Sequence, residues 1–209
     1  KLTTLDISSN VALKYLTCSY NLLTSLDVTK NVNLLDLAFQ SNSLTTLNVS
    51  KNVMLKTLYC FNNKLSSLDV TKNIKLESLN CGDNTITNLD LSKNLKLSYL
   101  ACANSQLTSL DCKYNPKLTT LYCYSNKLTS LDLSNNPAIV NLYCSSNLLN
   151  SMNITKCTEL QLLSCGNNVL TTLDLSNNTK LETLYCYNNK LTSLDLTKNT
   201  ALKKLSNYG

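Results

Sequence analysis

The chain has 209 residues, with 19 basic and 13 acidic side chains and a formal net charge of +6. All the basic side chains are lysines and histidine is absent, which excludes histidine-dependent nucleophilic triads and mixed cysteine–histidine zinc sites. The lysines are interleaved with aspartates along the chain, a pattern that is typical of a solvated surface and predicts no nucleic-acid partner. No stretch approaches the roughly 18 apolar residues of a membrane-spanning helix, so we expect no membrane insertion.

A repeat of 21 residues organises the chain from one end to the other. Eight cysteines share this spacing, and Phe39 fills the one internal gap in their series: Cys18, Cys60, Cys81, Cys102, Cys123, Cys144, Cys165 and Cys186. A fixed period of this length predicts a solenoid in which each coil contacts only its neighbours. We therefore expect a single domain over residues 1–209, built of about ten coils. Because the chain begins and stops inside a repeat, we also expect a longer parent protein.

Each coil combines two apolar half-motifs, L-x-x-L-x-C-x-x-N-x-L and x-x-L-D-L-[ST]-x-N-x-x-L. The alternations L-x-C and L-D-L place two side chains on one face and one on the other, which is the pattern of a half-buried strand. The sequence therefore predicts two short parallel strands in every coil, stacked into two sheets around a leucine core. Half-motifs of ten and eleven residues leave room for turns but for little or no helix.

Two columns of asparagine mark the corners of the coils. The first-half asparagines, with Ser105 in their one gap, are Asn21, Asn42, Asn63, Asn84, Asn126, Asn147, Asn168 and Asn189. The second-half asparagines, with Cys157 in their one gap, are Asn10, Asn31, Asn52, Asn73, Asn94, Asn115, Asn136, Asn178 and Asn199. An asparagine side chain both donates and accepts hydrogen bonds, so we predict that both columns satisfy the backbone of the turns.

The first half-motif resembles the leucine-rich-repeat consensus, with cysteine at one of its apolar sites. The second half, L-x-x-L-D-L-x-x-N, is similar to the irregular, short class of bacterial leucine-rich repeats. The resemblance covers the whole chain and recurs ten times. It implies a leucine-rich-repeat solenoid that serves as a non-catalytic scaffold, usually for protein ligands and sometimes for glycans, in a secreted or cell-surface bacterial protein.

The cysteines are predicted to be reduced and buried. Neighbours one coil apart have parallel Cα–Cβ bonds about 4.8 Å apart, whereas a disulfide needs converging bonds with Cβ atoms about 3.8 Å apart. Cys112 replaces an aliphatic residue of an L-D-L segment and is predicted to lie in the core. Cys157 occupies an asparagine corner, and it is the one cysteine that we predict to be reactive.

A column of aspartates runs through the second half-motifs, with Asn48 and Asn153 in its gaps: Asp6, Asp27, Asp69, Asp90, Asp111, Asp132, Asp174 and Asp195. These carboxylates could accept hydrogen bonds from the following Ser/Thr residues and turn amides, or they could bind calcium. The absence of glycine-rich loops favours the first interpretation. With no nucleotide-binding glycine motif, the sequence predicts no catalytic residue, cofactor or metal site.

Aromatic side chains collect along the L-x-C sheet, where nine of the eleven tyrosines lie, and only Tyr20 and Tyr114 fall elsewhere. Tyrosine offers a large contact area and a polar tip at low entropy cost, so this uneven distribution favours a recognition face. The predicted ligand-binding residues are Tyr59, Phe61, Tyr99, Tyr122, Tyr124, Tyr143, Tyr185 and Tyr187. A protein or peptide partner is favoured; a glycan ligand and end-to-end stacking of the solenoid are the alternatives that stay open.

Overall fold

The computed structural model describes residues 1–208, which contain twelve short strands and no helix. The strands are β1 Tyr15–Thr17, β2 Asp36–Ala38, β3 Thr57–Tyr59, β4 Ser78–Asn80, β5 Tyr99–Ala101, β6 Thr120–Tyr122, β7 Ser130–Asp132, β8 Asn141–Tyr143, β9 Ser151–Asn153, β10 Leu162–Ser164, β11 Thr183–Tyr185 and β12 Lys204–Ser206. It follows that no helix in this range is long and apolar enough to cross a membrane.

Ten of the strands form one parallel sheet in the order β1-β2-β3-β4-β5-β6-β8-β10-β11-β12. Each strand pairs with its neighbour at an offset of 21 residues, as Leu58 does with Leu79 and Leu100 with Leu121. In this sheet, the central leucine of every strand from β2 to β11 has no exposed surface, because alternation turns it into the core. The predicted solenoid of 21-residue coils with a leucine core is therefore confirmed.

The second half of the coil forms a strand in two coils alone. β7 pairs with β9 in parallel, with Asp132 opposite Asn153, and in the other coils the L-D-L half has no strand pairing within residues 1–208. The prediction of two strands in every coil thus holds for this pair only. A groove of about 390 Å³ lies on this side of two neighbouring coils, lined by residues from 66–71 and 87–90.

Like charges are stacked along this side of the coils. Stacked aspartates repel one another, and the charge of Asp90 opposes ionisation of Asp69 in the neighbouring coil. The one pairing that forms places uncharged Asn153 beside Asp132, so that contact carries no like-charge penalty. Asn48 interrupts the same column without forming a strand, which shows that removing the charge does not suffice by itself.

The first-half asparagines use both ends of their amide to join neighbouring coils. Asn126 donates from Nδ2 to the carbonyl oxygens of Cys102, one coil earlier, and of Cys123, at 2.9 and 3.1 Å. Its Oδ1 accepts from the Leu107 amide at 3.0 Å. Ser105 replaces asparagine in this column, and its hydroxyl reaches only the Ala103 carbonyl oxygen, at 3.5 Å. The cross-coil bonds of this column are therefore missing at one coil.

The second-half asparagines use only their donor end. Asn136 donates from Nδ2 to the carbonyl oxygens of Cys112 and Asn115 in the preceding coil, at 3.0 and 2.9 Å. Its buried Oδ1 has no partner within residues 1–208. Cys157 stands in this column, and its Sγ faces the equivalent carbonyl oxygens of Leu133 and Asn136 at 3.7 and 3.6 Å. A weak thiol donor is tolerated here because no acceptor is required.

We predict that Ser105→Asn stabilises the protein. The new amide should reach the carbonyl oxygens of Cys81 and Cys102 and the Ile86 amide, the partners that the column offsets assign to it. The expected gain is about 1–2 kcal/mol in the free energy of unfolding, measured by urea titration.

Two variants serve as controls for this stabilisation. Asn126→Ser makes the reverse change and should cost about 2–3 kcal/mol, because it leaves buried backbone groups unpaired. Cys157→Asn should change stability by less than about 1 kcal/mol, because it adds an acceptor that has no donor. Equal effects of the two substitutions to asparagine would contradict the distinction between the columns.

Candidate ligand-binding site

The eight aromatic residues predicted to bind ligand lie on the outer surface of the ten-stranded sheet, and we name this set the aromatic face. Five of them begin or end a strand: Tyr59, Tyr99, Tyr122, Tyr143 and Tyr185. The other three lie two residues beyond a strand: Phe61, Tyr124 and Tyr187. All eight side chains are half-buried, because each packs against its neighbours in the adjoining coils.

The centre of the aromatic face is a packed cluster of three tyrosines. The rings of Tyr122 and Tyr143 stack with centroids 4.5 Å apart and planes inclined by 9°. Tyr99 meets Tyr122 on its other side at 5.9 Å and 51°. Burial raises the pKa of Tyr99 and of Tyr143, and the neighbouring Tyr122 adds to the effect. These rings are held in place before any ligand arrives.

A second aromatic group lies at β11 and β12. The Tyr187 and Tyr208 rings stack at 5.1 Å. The Nζ atom of Lys204 lies 5.1 Å from the centre of the Tyr185 ring. Gly166 makes room for the Tyr187 ring, since a Cβ atom at that glycine would come within 2.7 Å of the ring. Between this group and the central cluster, β10 presents Leu162 and Ser164 and no aromatic side chain, so the aromatic face consists of two separate groups.

A depression of about 230 Å³ opens beside the central cluster. Its floor is made by the small residues Gly82, Ala101 and Ala103, all of which are buried. Its aromatic walls are Phe61, Tyr99, Tyr122 and Tyr124, and its polar walls are Asn80 and Asp83. Small residues at positions that hold tyrosine in other coils therefore create a concave site in an otherwise flat sheet.

Asp83 is fixed at the rim of this depression by its backbone. It has a positive φ of 51°, a conformation that asparagine and aspartate tolerate better than most residues. Its amide donates to the Ala103 carbonyl oxygen at 2.9 Å, and its Oδ1 accepts from Nδ2 of Asn104 at 2.9 Å. Within residues 1–208 the Asp83 carboxylate has no ion-pair partner, since the ion pairs there involve other acids.

The charge of the sheet surface differs from that of the whole chain. The sheet segments 77–83, 98–104, 119–125, 140–146, 161–167 and 182–188 contain no lysine, although the chain has 19 basic residues. The same segments contain the acids Glu77, Asp83 and Glu182, of which Glu182 pairs with Lys203 at 2.9 Å. The segment 56–62, which supplies Phe61, adds Lys56, so the four segments that line the depression carry one lysine and two acids on a protein of net charge +6.

Sequence reasoning identified the walls of the depression but missed its floor and rim. Gly82 and Ala103 fall in the column of Phe61 and Tyr124, and Ala101 falls in the column of Tyr122. The sequence signal for this floor was a small residue in a column that holds aromatic residues in other coils. Asp83 could not be found in this way, because its column is polar in almost every coil.

All ten cysteines are buried and unpaired, as predicted, and the predicted reactivity of Cys157 is wrong. Its side chain has no exposed surface, because the asparagine corner that it occupies lies inside the core. Burial raises the pKa of the Cys157 thiol to about 11 and those of Cys112 and Cys144 to about 12. Nucleophilic attack requires the thiolate, which burial disfavours at every one of these sites.

The aspartate column caps the turns of the second half-coils, as the favoured interpretation predicted. Asp27 accepts from the amide and the hydroxyl of Thr29 at 2.9 and 2.7 Å, and Asp69 does the same with Thr71. These hydrogen bonds lower the pKa of both carboxyl groups. No group of three or more potential metal ligands occurs in the described part of the chain.

No protein-family model matches the chain, and no curated protein matches it. Among solved structures, the functional domain of InlJ from Listeria monocytogenes, which includes a cysteine ladder, is 41% identical with a TM-score of 0.97, over 99% of this chain and 46% of that one. The leucine-rich-repeat protein LIC12759 of Leptospira interrogans is 24% identical with a TM-score of 0.91, over 98% of this chain and 58% of that one, and shows the fold alone. This chain thus spans about half the length of both.

The coils, the corners and these similarities together define a leucine-rich-repeat solenoid. The chain belongs to the leucine-rich-repeat proteins, in the class with 21-residue repeats that occurs in bacteria.

Two more distant structures show what this fold can hold. The ectodomain of the Arabidopsis thaliana receptor kinase GASSHO1/SCHENGEN3, in complex with CASPARIAN STRIP INTEGRITY FACTOR 2, is 22% identical with a TM-score of 0.74, over 97% of this chain and 30% of that one. TLR13 in complex with ssRNA13 is 22% identical with a TM-score of 0.71, over 96% of this chain and 31% of that one. The fold therefore does not exclude a nucleic-acid ligand, and the predicted absence of one lacks support from the comparisons.

We predict that none of the ten thiols reacts while the protein is folded. At pH 8, a thiol with a pKa of about 11 is ionised to roughly one part in a thousand, so Cys157 should be protected like its neighbours. Titration with a chromogenic disulfide should detect ten thiols in denaturant without reductant and almost none in buffer. Selective modification of Cys157 in the folded protein would contradict its assignment to the core.

We also predict a loss of stability in acid. The capped aspartates have lower pKa values in the folded chain than in the unfolded one. Their contribution is therefore present above the ordinary aspartate pKa of about 3.9 and is lost as the pH falls through the lowered values. Urea titrations at pH 7, 4 and 3 should show this decrease, and Asp69→Asn should make it smaller. A free energy of unfolding that is constant over this range would refute the role of the caps.

Proposed function

We propose that this chain is a non-catalytic protein-binding module of a secreted or cell-surface bacterial protein, and that it binds its partner through the aromatic face. The observation that carries the proposal is the packed cluster of Tyr99, Tyr122 and Tyr143 beside a depression walled by Phe61 and Tyr124. Large aromatic side chains around a pocket are the usual centre of a protein interface.

Preorganisation supports this role. Half-buried rings that already stack on one another lose little conformational freedom when a partner covers them. The strands beneath them are held at a fixed offset by the ladder of paired coils. On a rigid surface of this kind, little of the free energy of binding is lost to ordering side chains, so most of it contributes to affinity and selectivity.

The charge of the face favours protein over nucleic acid. Nucleic-acid affinity depends on lysine or arginine contacts to phosphates, and the sheet segments of six successive coils around the cluster have no lysine. The glycan alternative needs free ring faces, but Tyr122 and Tyr143 cover each other at 4.5 Å. The plant receptor ectodomain described above, in complex with CASPARIAN STRIP INTEGRITY FACTOR 2, is a precedent for protein recognition on this fold.

We predict that Tyr122→Ala combined with Tyr124→Ala abolishes partner binding, because it removes the centre of the face and two aromatic walls of the depression. Loss of the Tyr122–Tyr143 stack should cost only about 0.5–1.5 kcal/mol of stability. Both proteins would be immobilised and exposed to extracts of neighbouring or host cells. Retained proteins would be identified and their binding repeated with purified material.

The matched control is Tyr20→Ala combined with Tyr114→Ala, since these exposed tyrosines lie off the aromatic face. It should bind as the wild type does. Equal retention of the partner by all three proteins would refute the assignment of the face, and binding to a glycan array that only the face variant loses would establish the glycan alternative. End-to-end association stays a prediction, which light scattering over a concentration series tests on the same samples.

A further inference from the structure

The depression beside the central cluster combines aromatic walls with one free carboxylate. Phe61 and Tyr124 supply ring surfaces, and Asp83 supplies the charge. The site measures about 230 Å³, so it admits one side chain rather than a whole peptide segment. Aromatic faces carry negative electrostatic potential and attract cations within about 6 Å of the ring centre.

The chain itself shows this chemistry two coils further along the sheet from Tyr143. The Tyr185 ring occupies the same column as Tyr122, and the Nζ atom of Lys204 lies 5.1 Å from its centre. The nearby acid Glu182 is paired with Lys203. In the second aromatic group, lysines of the chain itself contact the ring and the acid. Among residues 1–208, no lysine contacts Asp83 or the rings around it in this way.

Other ligand chemistries fit this site less well. An apolar side chain would desolvate the Asp83 carboxylate without pairing it, which is costly. An anionic group would meet repulsion from Asp83, and no lysine lines the depression to offset it. A neutral sugar could stack on a ring, but it would gain nothing from the charge. A cation uses both the rings and the carboxylate.

We propose that the depression binds one lysine or arginine side chain of the protein partner. The cationic group lies against the Tyr124 ring and pairs with the free oxygen of Asp83, and the aliphatic stem lies on Ala101 and Ala103. This inference rests on the proposed function, because it assigns a specific contact to the partner of the aromatic face. It also makes the partner's contacting segment basic.

The test uses the two alanines on the floor as reporters. The full chain, labelled with ¹³C at its alanine methyl groups, would be titrated with Nα-acetyl-lysinamide and Nα-acetyl-argininamide up to about 50 mM, because a single side chain binds weakly. We expect saturable shifts of the Ala101 and Ala103 methyl signals, while Ala12, Ala138 and Ala201, which lie outside the site, stay unchanged. Nα-acetyl-norleucinamide, which has the same stem without the charge, should shift neither floor signal.

Asp83→Asn removes the charge with little risk to the fold, because Asn62, Asn104, Asn167 and Asn188 occupy the same column with the same positive φ. It should weaken lysinamide binding about three- to tenfold. Asp36→Asn, on the sheet but outside the depression, is the matched control and should leave binding unchanged. No shift at the floor, an equal shift with norleucinamide, or shifts with neutral methyl glycosides instead would overturn the proposal.

The two proposals can fail separately. If Asp83→Asn leaves affinity for the purified partner unchanged while the double tyrosine variant loses it, the aromatic face stands and the cation site does not. If the floor signals respond to lysinamide but the double tyrosine variant still binds the partner, the cation site exists and the proposed function is wrong.

Discussion

Each first-half asparagine joins two coils through one amide group, and the register of the whole solenoid depends on this bond. Nδ2 of Asn147 donates to a carbonyl oxygen of the preceding coil at 3.0 Å, while its Oδ1 accepts from the Leu128 amide at 3.0 Å. A short strand of three residues cannot fix its own register by hydrogen bonds alone. A buried side chain that must find partners in the next coil can do so, because a slip would leave both ends of the amide unpaired.

Because the register is fixed, residues 21 positions apart in the sequence stack in columns, and the columns on each side of the coil have a different structural role. Inside, leucine and cysteine fill the core, and the thiols behave as small apolar groups. On the second-half side, aspartate caps the turns. On the sheet side the outward residues are free of these duties, so their identity varies from coil to coil. We expect the recognition surface to lie where substitutions lower the stability of the fold least.

Much of the fold followed from the sequence because one period repeats through the whole chain. The leucine core, the asparagine corners and the buried cysteines were all predictable from a residue's place in its coil. The second strand was not predictable, since the L-D-L alternation describes which way side chains point and not whether neighbouring coils come close enough to pair. Cys157 was misjudged because its corner was taken to be exposed, whereas the asparagines around it are buried.

The candidate site was only half predictable, for a related reason. A column shows which residues are neighbours, but the depression exists because of what is absent at Gly82 and Ala103. Its walls then depend on ring orientations, such as the tilt of Tyr99 against Tyr122, which no period specifies. Asp83 gains its role because no lysine pairs with it among residues 1–208, a property of the surface rather than of any repeat.

Because every coil presents the same bonding groups to the next, the gain or loss of a whole 21-residue unit by recombination would leave the hydrogen-bonded ladders intact. The depression is different, since Phe61, Gly82, Ala103 and Tyr124 come from four successive coils. Removing one of those units would bring two others together and create a new arrangement of aromatic and small residues. Such a chain can acquire a different specificity in one genetic step without passing through an unfolded intermediate form.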